Sequence, residues 1–116
     1  STLFPYTTLF RSAVIRDSII MRESVIGAGS VVDKAVIAEN VKIGSNVALG
    51  VGEYAPSKYD PKVYQFDLVT VGENSIIPDN VKVGKNTAVV GETIVEDYPD
   101  GLLASGDYII KAGGMR

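Results

Sequence analysis

Residues 20–49 read IMRESVIGAGSVVDKAVIAENVKIGSNVAL. The aliphatic residues of this stretch recur at every sixth position, with one five-residue step: Ile20, Ile26, Val32, Ile37, Ile43 and Leu49. This spacing is neither the 3.6-residue period of an α-helix nor the two-residue alternation of a strand. A fixed period of this kind predicts a solenoid of stacked strands.

The pattern extends to both sides of this stretch, and other positions of each hexad share a residue type. Further aliphatic positions are Val14, Val71, Ile77, Val83 and Val89. Glycine follows the aliphatic residue at Gly27, Gly44, Gly50, Gly72 and Gly84, and asparagine lies three residues after it at Asn40, Asn46, Asn74, Asn80 and Asn86. Because both residue types accept a left-handed backbone at low cost, we expect a corner in every hexad.

A small or β-branched residue lies four positions after the aliphatic one, and we expect both to point inward. These residues are Ser18, Ser24, Ser30, Val36, Val41, Val47, Ser75, Val81 and Thr87. Three flat faces of six residues would close one turn of a triangular prism. The predicted fold class is therefore all-β, a single-stranded parallel β-helix built from hexapeptide repeats, with one corner loop inserted.

The coils and the insertion have predictable bounds. The first coil covers residues 13–31 and the second covers 32–49, with one hexad shortened to five residues at 32–36. The repeat is interrupted over about residues 50–70, which we interpret as a loop extending from a corner. Its aromatic residues are Tyr54, Tyr59, Tyr64 and Phe66. Two roles are open for them: an interface with another domain or subunit, or a cover over the side of the β-helix.

The pattern decays after Val89, and residues 107–111, DYIIK, predict one short closing strand. Pro78 follows an aliphatic position, where no ladder hydrogen bond is needed from its nitrogen, so we interpret it as a corner residue. The segment Gly27-Ala28-Gly29 is similar to a phosphate-binding loop, but no lysine follows it and it is in register with the hexads. We expect it to be structural.

Residues 1–12, STLFPYTTLFRS, carry a separate signal. They match, codon for codon, the translation of a widely used short-read sequencing adapter. They lack the basic start and continuous apolar stretch of a secretory signal. We therefore predict that residues 1–12 are a non-native leader, leave them out of the fold prediction, and expect residues 13–116 to form the β-helix domain. On this prediction Ala13 begins inside a larger reading frame.

Composition excludes several classes of function. The 116 residues include no cysteine and no histidine, which removes disulfides, thiolate chemistry and the Ser-His-Asp arrangement. The formal net charge is −3, with basic residues scattered singly, which argues against a nucleic-acid surface. No apolar run has the length of a membrane span, so we expect a cytoplasmic protein. Four carboxylates, Asp33, Glu39, Glu73 and Asp79, fall at outward or corner positions, and the sequence alone pairs none of them.

The order of coils, insertion and tail resembles one family. DSIIMRESVIGAGSVV, AVIAENVKIGSN, VTVGENSIIPDNVKVGKN and GLLASGDYIIKAGG together are similar to the carboxy-terminal domain of bacterial glucose-1-phosphate adenylyltransferase, also called ADP-glucose pyrophosphorylase. The resemblance implies a left-handed coil. It also implies a parent enzyme that makes ADP-glucose and pyrophosphate from ATP and glucose 1-phosphate, with Mg²⁺, for glycogen synthesis. The catalytic residues of such enzymes lie in an amino-terminal domain, and no motif of that domain is present here.

The resemblance further implies a regulatory and assembly role for this part of the enzyme. The module would pack on the missing catalytic domain, contribute to a homo- or hetero-tetramer and help to bind an anionic effector. Arg16, Arg22 and Lys34, in the first coil and at the start of the second, are the candidate effector-binding residues. We assign no catalytic residue and no metal ligand. The alternatives are a stand-alone hexapeptide-repeat scaffold, an acyltransferase-like protein, the tail of another sugar nucleotidyltransferase, or a non-catalytic paralogous subunit.

Overall fold

A computed structural model describes residues 1–111, so the last five residues of the predicted domain, 112–116, lie outside the described part. The described chain has fifteen short strands and two 3₁₀ turns, Val95–Asp97 and Pro99–Gly101. The strands are β1 Thr2–Leu3, β2 Thr8–Leu9, β3 Val14–Arg16, β4 Ile19–Ile20, β5 Val25–Ile26, β6 Val31–Asp33, β7 Ala35–Ile37, β8 Lys42–Ile43, β9 Ala48–Leu49, β10 Val69–Val71, β11 Ile76–Ile77, β12 Lys82–Val83, β13 Thr87–Val90, β14 Leu102–Leu103 and β15 Tyr108–Ile110.

The strands form three parallel sheets, one for each face of the prism. The first sheet has the order β1-β4-β7-β10-β13-β15, the second β2-β5-β8-β11 and the third β3-β6-β9-β12-β14. Each strand pairs with the strand three further along, one coil later, until the short closing segment. The predicted parallel β-helix is confirmed. Its left hand remains an expectation from the resemblance.

The register stacks the hexad aliphatics into columns. Ile20 pairs with Ile37, and Ile37 pairs with Val71; all three are at most 1% exposed. Equivalent columns run along the second and third sheets, through Ile26 and Ile43 and through Val32 and Leu49. Fully burying one such side chain contributes about 1.5–3 kcal/mol. The prism interior is therefore a continuous apolar core with no room for a channel.

Two register predictions were wrong at the corner where one hexad has five residues. Ile15, not Val14, packs against the core, while Val14 is 40% exposed. Ala35, not Val36, takes the second inward position and is 1% exposed. In both cases the five-residue step falls between the third and first sheets, and it moves the inward positions by one residue.

The corners confirm the role of asparagine and correct that of glycine. All five repeated asparagines have φ between 56° and 63°. Among the repeated glycines only Gly50 has a positive φ. At Gly27, a Cβ would lie 2.4 Å from the backbone carbon of Gly44 in the next coil. Glycine is needed at most of these positions because successive coils approach too closely for a side chain.

Residues 1–12 lie in the coil geometry. Leu3 of β1 is in register with Ile20, and Leu9 of β2 with Ile26, so the leader continues two of the inward columns. The segment contains its own hexad repeat, Thr-Leu-Phe at 2–4 and at 8–10, which the sequence interpretation overlooked. A non-native origin of its codons is a separate matter and stays a prediction.

The insertion lies against the last coils. Lys58 Nζ is 2.9 Å from an Asp107 carboxylate oxygen, and the ring of Tyr59 lies 4.6 Å from that of Tyr108, centroid to centroid. Tyr59 therefore helps to cover the side of the β-helix. Tyr54 and Phe66 remain 68% and 76% exposed, and an interface role for them stays a prediction.

The predicted closing strand is observed as β15, which pairs with β13 in parallel. Pro78 directly follows β11, the outermost strand of the second sheet, so its missing N–H interrupts no ladder. The backbone N–H of Gly27 donates to the Ile43 carbonyl of the following coil, and that of Gly29 donates to the Arg11 carbonyl of the preceding coil. This segment is structural, as expected.

Candidate functional site

The three predicted effector-binding residues lie at two different corners of the prism. Arg16 and Lys34 belong to successive coils at the corner between the third and first sheets, where the Lys34 N–H donates to the Arg16 carbonyl at 3.1 Å. Arg22 lies at the next corner, between the first and second sheets. The structure therefore brings two of the three together.

The corner of Arg16 and Lys34 holds opposite charges beside its cations. Arg16 Nε lies 3.9 Å from an Asp33 carboxylate oxygen, and the Arg16 side chain is 58% exposed. Lys34 is exposed and takes part in none of the four ion pairs found within residues 1–111. An exposed ion pair of this length contributes little to stability, about 0–1 kcal/mol. Both cations can therefore turn toward an anionic ligand at small cost.

Arg22 is in a different electrostatic setting. Its Nε lies 3.1 Å from a Glu39 carboxylate oxygen. A shallow cleft of about 240 Å³ surrounds the pair, and Glu23 and Glu73 also line it. One cation among three carboxylates gives this cleft a net negative charge, so an anionic effector would have to break the Arg22–Glu39 pair and approach two further carboxylates.

The clustering of these carboxylates was missed from the sequence. Arg22, Glu39 and Glu73 are separated by 17 and 34 residues, and Glu39 and Glu73 flank the same corner. Neighbouring Asn40 donates its side-chain amide to the Asn74 side chain at 2.8 Å. A 17-residue coil aligns Arg22 with Glu39. Glu73 follows Glu39 by one coil only because the insertion lengthens that coil to 34 residues, as the pairing of Ile37 with Val71 shows. The cluster is open to solvent, and no buried carboxylate lies among the described residues that line it.

The described residues do not fit a metal centre. Within residues 1–111 no group of three or more aspartate, glutamate, histidine or cysteine side chains is placed to hold a metal ion. Nor does any helix within the same residues have the length and apolar character that crossing a bilayer requires.

Two polar side chains near the carboxy-terminal end of the prism, Asp97 and Tyr98, have shifted pKa values. Tyr98 is 3% exposed, and its hydroxyl shares a 2.8 Å hydrogen bond with the Thr93 hydroxyl. Burial raises the pKa of Tyr98 to about 12, although the Thr93 bond acts in the opposite direction. The Ile94 N–H, and then Lys111, lower the pKa of Asp97. These contacts close the end of the core and supply no reactive group.

Comparison with known proteins places this geometry in context. Residues 1–65 match the family model described as GlmU-like, C-terminal hexapeptide. A glucose-1-phosphate adenylyltransferase of Lachnospira eligens is 62% identical over 64 residues, which are 55% of this chain and 15% of that protein. The enzymes of the same name from Thermotoga maritima and Thermotoga sp. strain RQ2 are 46% and 44% identical over 61 residues, 53% of this chain and 14% of each of them.

The chain thus spans about 15% of the length of the curated relatives it matches. The family model covers more than half of the chain, and the three parallel sheets are the fold that a hexapeptide repeat specifies. The chain belongs to the GlmU-like C-terminal hexapeptide family.

Proposed function

We propose that this chain is the carboxy-terminal regulatory and assembly module of a glucose-1-phosphate adenylyltransferase. The parent enzyme would join ATP and glucose 1-phosphate into ADP-glucose and pyrophosphate. The observation that carries the proposal is the 62% identity to the Lachnospira eligens enzyme over 64 residues. The chain contains no histidine. This disfavours the acyltransferase alternative, because many hexapeptide-repeat acyltransferases resemble one another in using a histidine at a subunit interface.

The module itself would contribute no catalytic group. Its core is filled mainly by aliphatic side chains, and the buried polar side chains within residues 1–111 include no carboxylate. We expect Mg²⁺ and ATP to bind in the catalytic domain of the parent, as the resemblance implies. The module's rigid faces suit it to hold that domain and other subunits in a cytoplasmic tetramer.

Effector binding is the second part of the proposal. Arg16 and Lys34 present two exposed cations at one corner, on adjacent coils, which suits an anion such as a sugar phosphate. Arg22 would join such a site only by leaving Glu39. We therefore propose the Arg16–Lys34 corner as the main contact and Arg22 as a secondary one.

A chimera tests the assignment to the adenylyltransferase. Residues 13–111 would replace the homologous segment of the Lachnospira eligens enzyme, and pyrophosphate release from ATP and glucose 1-phosphate would be measured. The chimera should keep activity within about tenfold of the parent, because the exchanged module contributes no catalytic group. A tenfold loss corresponds to only about 1.4 kcal/mol in the activation free energy. Residues 1–116 alone should show no turnover.

The matched control is the same chimera carrying Ile26→Asp, which places a charge at a position that is 0% exposed. This control should lose both assembly and activity. A folded but inactive and unassembled chimera would count against the proposed module. Turnover by the 116-residue chain alone would refute the placement of the catalytic groups elsewhere.

A further inference from the structure

Asn86 differs from the other four repeated asparagines of the corners. All five adopt a left-handed backbone, with φ of 57° at Asn86. The other four residues are exposed, whereas Asn86 is 2% exposed. The left-handed corner accounts for the residue type, since asparagine accepts this backbone at low cost. It does not account for the burial, so the side chain of Asn86 has a further role.

The buried side chain of Asn86 joins the two ends of the insertion. Its Nδ2 donates to the Ala55 carbonyl at 2.9 Å, near the start of the insertion. Its Oδ1 accepts the Asp67 N–H at 2.9 Å, near the end of the insertion. Both backbone groups lie outside the strands of the described chain. One side chain therefore closes residues 55–67 into a loop, which we call the strap.

A second set of contacts holds the middle of the strap against the coil of β14 and β15. The Lys58 N–H donates to the Gly106 carbonyl at 2.8 Å. This bond adds to the ion pair and the ring contact between the insertion and the same coil. The backbones approach closely here, because a Cβ on Gly106 would collide with the Pro56 carbonyl oxygen. The strap is thus attached at its two ends by Asn86 and at its middle by the coil.

The strap buries little else. Ser57 is its only buried residue, and the Ser57 hydroxyl accepts the N–H groups of Tyr59 and Asp60 within the strap itself. Further along, the Tyr64 N–H donates to the Asp60 carbonyl at 2.9 Å. No residue of the strap belongs to the apolar core cluster. A segment with internal hydrogen bonds and little burial can open at low free-energy cost while the core stays folded.

We propose that the strap opens from the β14–β15 coil as one unit, and that Asn86 is the latch that holds it closed. Both ends of the strap bond to the same side chain, so loss of the Asn86 amide frees both ends together. The bonds inside the strap remain, so the strap moves as a body instead of unravelling. Opening exposes the Asn86 amide and the Gly106 carbonyl to water. The device belongs to the module and is independent of the parent enzyme's activity.

Amide exchange of the full chain carrying Asn86→Gly tests the latch. Glycine keeps the left-handed backbone and removes both side-chain bonds. The reporter is the Lys58 amide, whose own acceptor, the Gly106 carbonyl, is left in place. Its exchange should be about tenfold or more faster than in the unaltered chain, because two hydrogen bonds are lost. Asn80→Gly, at an exposed corner with φ of 63°, is the matched control and should leave the exchange of Lys58 unchanged.

The Val25 amide, which donates to the Val41 carbonyl at 2.8 Å, reports on the core in the same experiment. It should exchange at the same rate in all three chains, because opening of the strap is local. Equal acceleration at Val25 and Lys58 would mean that Asn86→Gly weakens the whole fold, and would overturn the proposal. Faster exchange at Asp67 with none at Lys58 would also overturn it, because the strap would not open as one unit.

A second pair of variants opens the strap from its other attachment and covers the case in which Asn86→Gly does not fold. Gly106→Ala forces the coil away from Pro56, whereas Gly101→Ala has a similar φ, 72°, but places its Cβ 3.6 Å from the nearest atom, the Asn80 carbonyl oxygen. Trypsin should cleave after Lys62 faster in Gly106→Ala than in Gly101→Ala. Equal cleavage of the two variants would contradict a strap that is held against this coil.

Discussion

The hydroxyl of Ser24 accepts the backbone N–H of Val41, one coil later, at 3.1 Å and donates to the Ala38 carbonyl at 2.8 Å. Ser18 and Ser30 make the equivalent bonds to Ala35 and Val47, at 3.0 Å each. All three serines are at most 4% exposed. These inward serines therefore satisfy buried backbone groups where each face turns into the next.

Removing one such hydroxyl should be costly. Ser24→Ala leaves the Val41 N–H buried without an acceptor, and we expect a loss of about 1–3 kcal/mol in the free energy of unfolding. Urea denaturation measures it. Ser45→Ala is the matched control. Ser45 bonds to Asp79 through its backbone N–H, at 2.8 Å, and the substitution leaves that group in place. Equal stability of the two variants would show that the hydroxyl of Ser24 does not stabilise the fold.

The two reasons for glycine in the corners can be separated. Gly27→Ala places a Cβ 2.4 Å from Gly44 backbone atoms. In Gly52→Ala the nearest atom to the new Cβ, Ser105 Oγ, is 3.9 Å away, but the alanine must adopt a φ of 89°. We expect Gly52→Ala to cost about 1–2 kcal/mol from backbone strain alone. Gly27→Ala should cost more, because the coils must separate. A smaller loss for Gly27→Ala, measured by thermal unfolding, would refute the close-approach explanation.

Tyr98 should make stability fall at high pH. Its pKa in the folded chain is raised to about 12, so the neutral phenol is favoured in the fold. The stabilisation is fully present below the pKa of the unfolded chain, about 10, and is lost as pH rises toward 12. Tyr98→Phe should remove this slope and cost about 0.5–1.5 kcal/mol at neutral pH through the lost Thr93 bond. Unfolding between pH 9 and about 12 measures both effects, and an unchanged slope would exclude Tyr98 as its source.

Anion binding should distinguish the Arg16–Lys34 corner from the corner that contains Arg22. Arg16→Ala and Lys34→Ala should each weaken the binding of a sugar phosphate, with glucose 1-phosphate as the probe in calorimetry, by about three- to tenfold. Arg22→Ala should have a smaller effect because its charge is already paired with Glu39. Lys82→Ala, on an exposed position of β12, is the control for a general charge effect. Equal losses for all four variants would mean that no corner is selective.

The hexad period predicts much of the fold because each coil repeats the same inward aliphatic positions and the same left-handed corners. The hexad aliphatics from Ile20 to Val89 and the left-handed asparagines were placed correctly from spacing alone. The errors at Val14 and Val36 share one cause, which is a five-residue step at a corner. The spacing of the aliphatic residues does not reveal where in the corner the missing residue falls. Only the observed register, Ile15 with Val32, resolves it.

Contacts between distant segments lie beyond the sequence pattern. The insertion meets the last coil through Lys58 and Asp107, 49 positions apart, and no period links these residues. The Asp97–Lys111 pair and the Tyr98–Thr93 bond close the prism end where the hexads have already decayed. The approach of Arg22 to Glu39 was predictable in principle from the 17-residue coil. The place of Glu73 in the same cleft depends on the length of the insertion, which the repeat does not predict.

We have proposed that residues 13–116 are the carboxy-terminal module of an adenylyltransferase whose catalytic domain lies in a longer reading frame. One sequencing read of the source DNA across the Ala13 codon tests this most directly. We predict that the native frame continues upstream into a domain with a Gly-rich nucleotide loop, with codons other than those of STLFPYTTLFRS before Ala13. A start codon immediately before Ala13, or genomic codons for residues 1–12 preceded by their own start, would contradict the account.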